Sequence, residues 1–201
     1  MRFFLPGVGG DPGFWKPVGD LLPPGEDVFF SWPGLGDQPA DPKVRGYDDL
    51  MALVAARLKR PADLIAQSMG GALAIRLALA FPDKVRRLVL TATSGGVAMR
   101  SFGATDWRDG YRRLFPHAAD WVMTAFPDLS AALPSLRQPV LLLWGDNDPI
   151  SPVAVGEYLR DRLPDACLHM VKGGKHDLAI THAAEIAPLI AAFLEPQIFA
   201  D

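Results

Sequence analysis

The chain has 201 residues, 49% hydrophobic and 21% charged, a balance that excludes disordered and fibrous classes. Its formal net charge of −3, with no basic stripe, argues against nucleic acid as a partner. The single cysteine, Cys167, excludes an internal disulfide; within Ala166-Cys167-Leu168 it reads as a buried strand residue.

The length suggests one domain spanning residues 1–201, able to bury about 70% of its unfolded surface. Pro6 and Gly7 interrupt the first apolar residues too early for a signal peptide. No segment approaches a membrane span, so the expected location is the cytoplasm, without a membrane partner.

Short apolar runs alternate with helical patterns along the chain. The runs predict strands at Arg2–Leu5, Asp27–Ser31, Ala62–Ala66, Arg87–Thr91, Val140–Trp144 and Cys167–Val171. Helical patterns fall at Phe14–Leu22, Tyr47–Lys59, Ser68–Ala80, Pro152–Leu163 and Ala183–Leu194. This order predicts an α/β fold with a mostly parallel sheet of about six strands and helices on both faces. Function in such sheets gathers in loops at the carboxyl ends of the strands.

One interval breaks the rhythm. The residues between Thr91 and Val140 hold Phe102, Trp107, Tyr111, Phe115, Trp121 and Phe126. So long a connection is a functional insertion, a short helical lid at about 95–136, or a crossover whose aromatics pack on the sheet; both can hold.

Ala66-Gln67-Ser68-Met69-Gly70-Gly71 joins the third strand to its helix. A serine at that turn exposes its hydroxyl at the end of the sheet, beside free N–H groups of a helix N-terminus. Small neighbours let the helix pack close. Taken alone, the same residues read as an ordinary N-cap.

Val140-Leu141-Leu142-Leu143-Trp144-Gly145 is an aliphatic run that stops at a glycine, followed by Asp146, Asn147 and Asp148. Acids there also serve as turn caps. After the last strand, Gly173-Gly174-Lys175 leads to His176, alone among the four histidines on a glycine-flanked loop at a strand end. His117 reads as a surface residue, His169 as a side chain on the sheet, and His182 as lying near the final helix. After the first strand, Pro6-Gly7-Val8-Gly9-Gly10 forms a glycine-rich turn without a phosphate-loop lysine. Ser31-Trp32-Pro33-Gly34-Leu35-Gly36 is another turn.

Together these five segments resemble the α/β-hydrolases. The serine turn resembles the family's G-x-S-x-G elbow, with Ala66 for the first glycine. Gly145 to Ile150 resembles G-x-x-D-x-[IVL], and the Pro6–Gly10 turn resembles H-G-x-G with Pro6 for histidine. Ser31–Gly36 resembles D-x-P-G-x-G with Ser31 for aspartate. The resemblance covers nearly the whole chain and implies the roles. Ser68 is the nucleophile, His176 the base, and Asp148, preferred over Asp146, the orienting acid. The backbone N–H groups of Met69 and Val8 form the oxyanion hole.

The fold is then N-terminally trimmed, since the family's usual first two antiparallel strands have no counterpart before Arg2. Trp15, Phe102, Trp107, Tyr111, Trp121 and Ile150, with Phe14, are candidates for an apolar acyl pocket, although aromatics at helical spacing are commonly core. The expected chemistry is hydrolysis of a small-molecule acyl substrate through an acyl-enzyme.

A serine nucleophile argues against the haloalkane dehalogenases, which use an aspartate. Thioesterase, lactonase, carbon–carbon bond hydrolase and perhydrolase chemistry stay open, as does a non-catalytic binding protein on the same fold. The stretch from Ala92-Thr93-Ser94-Gly95-Gly96 on to Trp107 resembles small carboxylesterases of the carrier-protein methyl ester esterase type. No metal-ligand spacing is present, and no cofactor is expected. Oligomeric state has no signature.

Overall fold

A computed structural model describes residues 1–124 and 126–195. Residue 125, inside the expected lid, and residues 196–201, inside the expected domain, lie outside the described residues.

Six parallel strands form one sheet: β1 (Arg2–Leu5), β2 (Asp27–Phe29), β3 (Ala62–Gln67), β4 (Val85–Thr91), β5 (Val140–Gly145) and β6 (Ala166–Val171). Their order is β2-β1-β3-β4-β5-β6. Phe4 is in register with Phe29 on one side and Ile65 on the other. The chain therefore runs outward from β1 to β2, returns to β3, and winds the other way. Ligands in open parallel sheets bind where the winding reverses. Here that point lies beyond the carboxyl ends of β1 and β3, which carry the Pro6–Gly10 turn and Ser68.

Strand periodicity splits the core in two. Phe3, Leu5, Leu64, Ala66, Leu88, Leu90, Leu142 and Trp144 face one side. There they meet α2 (Tyr47–Arg57), α3 (Met69–Ala80) and α5 (Val153–Arg162). Phe4, Ile65, Val89, Leu141 and Leu143 face the other. They meet α1 (Lys16–Gly19), α6 (Leu178–Thr181) and α7 (Ala183–Leu194). Burial on both faces is why these strands read as unbroken apolar runs. Helix α3 is apolar almost all round and packs deep in the first core. Its Arg76 reaches Asp48 of α2 at 2.6 Å.

Between β4 and β5 lie single turns at Met99–Phe102, Asp120–Met123 and Leu133–Ser135, and one helix, α4 (Arg108–Leu114). Tyr111, Val122 and Leu133 join the first core, so the aromatics of this interval do pack on the sheet side.

Two expectations are corrected. The helix at Phe14–Leu22 is instead a 3-10 turn, Pro12–Trp15, running into the single turn of α1. Pro17 lacks the N–H that would carry the ladder of the first turn into the second, and Gly19 sits against the Phe29 ring. Cys167 is exposed, because β6 is the edge strand of the sheet and its outer positions face solvent.

Candidate active site

Three loops at the carboxyl end of the sheet carry the titratable and nucleophilic groups. Ser68 follows β3 with φ 54° and ψ −122°. A left-handed serine costs about 1–3 kcal/mol and persists only where its surroundings impose it. Two things impose it here. The Ser68 N–H donates to Thr91 O at 3.0 Å, and the Thr93 hydroxyl donates to Ser68 O at 2.6 Å. Gly70 lets α3 start directly on β1: a Cβ there would sit 2.5 Å from Pro6 O and 2.6 Å from Leu5 O. This close approach explains the small residue at that position.

Asp148 follows β5 and its side chain is wholly buried. Its Oδ1 accepts N–H bonds from Ile150 at 2.8 Å and Ser151 at 3.1 Å. Those bonds orient the carboxylate, leaving Oδ2 facing His176 Nδ1 at 2.8 Å. A carboxylate only accepts, so Nδ1 carries the hydrogen and Nε2 is left as an acceptor. Nε2 lies 3.1 Å from Ser68 Oγ. The structure thus brings Ser68, His176 and Asp148 into one hydrogen-bonded line, its imidazole partly open to solvent.

Asp146 does different work. It is exposed, and its Oδ1 accepts the Gly173 N–H at 2.6 Å, tying the β5 loop to the β6 loop that bears His176. The other histidines stand apart. His117 is exposed, His169 on β6 faces Glu185 at 4.0 Å, and His182 Nδ1 is 2.9 Å from the Thr181 hydroxyl.

Met69 opens α3, where the first N–H groups have no partner within the helix. The Val8 N–H meets no protein acceptor among the described residues. Both residues border, with Ser68, a cavity of about 670 Å³ under the β4–β5 insertion. Val97, Met99, Trp107, Met123 and Phe126 give it apolar walls; Arg100, Asp106 and Arg108 are among its polar lining. The Arg108 backbone N–H at 3.1 Å and its guanidinium at 3.0 Å both donate to Asp106 Oδ1, and these hydrogen bonds hold the Asp106 carboxyl below its ordinary range.

The aromatic pocket candidates need correction, because only Trp107 lines this cavity. Trp15 is buried beyond the opposite face of the sheet, with its indole N–H on Leu5 O at 3.1 Å; Phe14 packs beside it. Phe102 packs edge-on against Tyr158, and Trp121 edge-on against Tyr47. Ile150 contributes its N–H to Asp148. Tyr111 is buried and its hydroxyl donates to Val8 O at 2.9 Å. Burial pushes that phenol above its ordinary value, which keeps it a donor.

Two supporting residues escaped sequence reasoning. Gln67, the residue before Ser68, donates its side-chain N–H to His176 O at 3.2 Å. Ser151 donates its hydroxyl to Thr93 O at 3.0 Å, so a buried chain runs from the Asp148 loop to the Ser68 turn. Gln67 beside Ser68 and Ser151 just after Asp148 are polar residues next to glycine-flanked turns, which is the available signal, but their partners are set only by the tertiary fold.

Among the described residues no group of His, Cys, Asp and Glu side chains is placed to hold a metal, and no helix is long and apolar enough to cross a membrane.

The profile of the alpha/beta hydrolase family matches residues 3–189. The chain is 29% identical to the pimeloyl-[acyl-carrier protein] methyl ester esterase of Neisseria meningitidis serogroup B, covering 81% of this chain and 80% of that protein. It is 28% identical to a poly(3-hydroxyalkanoate) depolymerase of Ectopseudomonas oleovorans, covering 95% and 83%. Among solved structures, a bromoperoxidase from Bacillus anthracis superposes with a TM-score of 0.79 at 19% identity, over 98% of this chain and 92% of that one; this likeness concerns the fold alone.

Proposed function

This chain belongs to the alpha/beta hydrolase family, and on that premise we propose that it is a serine hydrolase cleaving a small carboxylic ester through an acyl-enzyme. The observation that carries this is the Ser68–His176–Asp148 line, with both imidazole nitrogens engaged at 3.1 Å and 2.8 Å.

The steps follow from the hydrogen-bond roles. His176 Nε2 takes the Ser68 proton as Oγ attacks the ester carbonyl. The negative charge that develops on the carbonyl oxygen is held by the N–H groups of Met69 and Val8. Asp148 holds the tautomer and stabilises the imidazolium. His176 then protonates the departing alcohol. The acyl group stays on Ser68 until water, giving a proton to His176, attacks its carbonyl; the bond to Oγ then breaks, the acid leaves, and His176 returns the proton to Ser68. The apolar walls under the insertion receive the acyl chain, so the insertion acts as its lid. Relatives named as esterases support ester chemistry over the family's other reactions.

The test is hydrolysis of p-nitrophenyl esters from acetate to decanoate by wild type and Ser68→Ala. Removing the nucleophile is expected to cost several orders of magnitude in kcat, and the chain-length optimum reports the size of the cavity. Ser68→Ala activity close to wild type would sink the proposal.

A further inference from the structure

Tyr111 lies outside the cavity, yet it bonds the very loop that would carry half of the oxyanion hole. Its position follows from α4. One turn earlier Trp107 lines the cavity wall, and the Tyr111 ring packs edge-on against it, with Phe115 on its other side at 5.0 Å. The hydroxyl spans two loops. It donates to Val8 O at 2.9 Å and accepts the Gly36 N–H at 2.8 Å.

The peptide planes around Val8 show what that bond does. The N–H of Val8 belongs to the peptide whose oxygen is Gly7 O. Gly7 O accepts the Gly10 N–H at 3.1 Å. In a trans peptide N–H and C=O point in opposite directions, so this turn directs the Val8 N–H away from the loop interior. The peptide before it is fixed by the Trp32 indole N–H on Pro6 O at 2.8 Å. The peptide after it is fixed by Tyr111 alone among the described side chains. Gly10 O is then held by Trp32 N–H at 3.1 Å. Without the tyrosine hydroxyl, Val8 O and the Gly36 N–H lose their bond, and the Val8–Gly9 peptide is free to rotate. The Gly10 N–H that fixes the Gly7–Val8 plane lies one peptide further along, so its hold on Gly7 O, and with it the aim of the Val8 N–H, loosens as the Val8–Gly9 peptide turns.

We propose that Tyr111 is a positioning residue that preorganises the oxyanion donor of Val8, so that the insertion helix supplies part of the catalytic geometry as well as the cavity wall. The inference rests on the acyl-enzyme reading above. Its consequence is that α4 is coupled to the chemical step: displacing the helix releases the Val8 loop.

Tyr111→Phe keeps the ring and removes only the hydroxyl. Loss of one oxyanion donor costs about 100- to 1,000-fold in kcat, and a donor misdirected rather than deleted costs less, about 10- to 100-fold. The expected result is that fall in kcat with KM for p-nitrophenyl butyrate nearly unchanged. Affinity for a trifluoromethyl ketone, whose serine adduct carries the oxyanion, should weaken in parallel, while inhibition by butyrate should not. Phe115→Leu loosens the same helix but leaves the hydroxyl, so its kcat should fall less. A Tyr111→Phe kcat within about twofold of wild type, or a trifluoromethyl ketone affinity that does not weaken with it, overturns the proposal.

Amide exchange on the wild type gives an answer independent of any variant. The Gly36 N–H should be protected before any ligand binds; exchange as fast as that of an open turn counts against the proposal. Wild type that takes no fluorophosphonate label and cleaves no ester would instead remove the serine hydrolase reading itself, whereas a labelled wild type with an unimpaired Tyr111→Phe removes this inference only.

Discussion

Asp148→Asn tests whether the hydrogen-bond line runs in the direction derived above. The substitution keeps shape and volume. The side-chain oxygen still accepts the Ile150 and Ser151 N–H groups at the places now taken by Oδ1, 2.8 Å and 3.1 Å away. Those two bonds fix which way the amide points, so its NH2 faces His176 Nδ1. Nδ1 must then accept, and the imidazole hydrogen moves to Nε2, opposite Ser68 Oγ at 3.1 Å. In that tautomer Nε2 has no lone pair for the serine proton. Loss of the correct tautomer costs about 10³- to 10⁴-fold in kcat, or about 4–5.5 kcal/mol of barrier. Stability should change little, because every buried polar atom keeps a partner: about 1 kcal/mol, or about 2–4 °C in Tm. The assay is kcat on p-nitrophenyl butyrate beside a thermal melt, with Asp146→Asn as the comparison. Asp146 is exposed and ties loops through Gly173 N–H, so its variant should keep kcat within about tenfold. The reasoning fails if Asp148→Asn stays within tenfold of wild type, or if Asp146→Asn loses more.

Three further outcomes follow from local geometry. Gly70→Ala puts a Cβ 2.5 Å from Pro6 O and 2.6 Å from Leu5 O; backbone must move, so thermal melts should show a loss of about 1–3 kcal/mol and ester assays a fall of at least about tenfold, and an unchanged Tm and rate would contradict the tight β1–α3 approach. Thr93→Val removes the hydroxyl that donates to Ser68 O at 2.6 Å and accepts the Gly95 N–H at 3.0 Å; denaturant titration should show a loss of about 1–3 kcal/mol, with lower kcat as the Ser68 turn relaxes, and wild-type values in both would mean that other contacts impose its φ. Cys167 is exposed but its partial burial pushes the thiol above its ordinary value, leaving less thiolate at a given pH; Ellman's reagent at pH 8 should therefore react more slowly than with free cysteine, gaining as pH rises, and an equal rate would count against the shift.

What could be read from the sequence, and what could not, divides along a physical line. Strands β1, β3, β5 and the second half of β4 announce themselves because burial on both sheet faces demands continuous apolar residues, and α7 begins and ends where its periodic pattern does. Ser68, Asp148 and His176 were legible for a related reason. Each sits on a turn whose backbone needs are written locally, in Gly70 and Gly71, in Gly145, and in Gly173 and Gly174. Local chemistry does not encode the order of strands in the sheet, and Cys167 shows the cost: β6 looks like its neighbours, but it forms the edge and exposes that side chain. The break between the Pro12–Trp15 turn and α1 was legible in principle, since Pro17 has no N–H to carry the ladder from one into the other. The cavity wall was not. Hydrophobic spacing places Trp15, Tyr111 and Trp121 inside the protein but does not say against which face, and the sheet separates Trp15 from Ser68. Tyr111 makes the distinction sharpest. Its burial follows from an apolar pattern, whereas its use follows from a hydroxyl that meets Val8 O across a sequence separation of 103 residues. Side chains on glycine-flanked turns declare themselves by the local backbone those turns need; side chains that brace such turns are found only once the fold has chosen their partners.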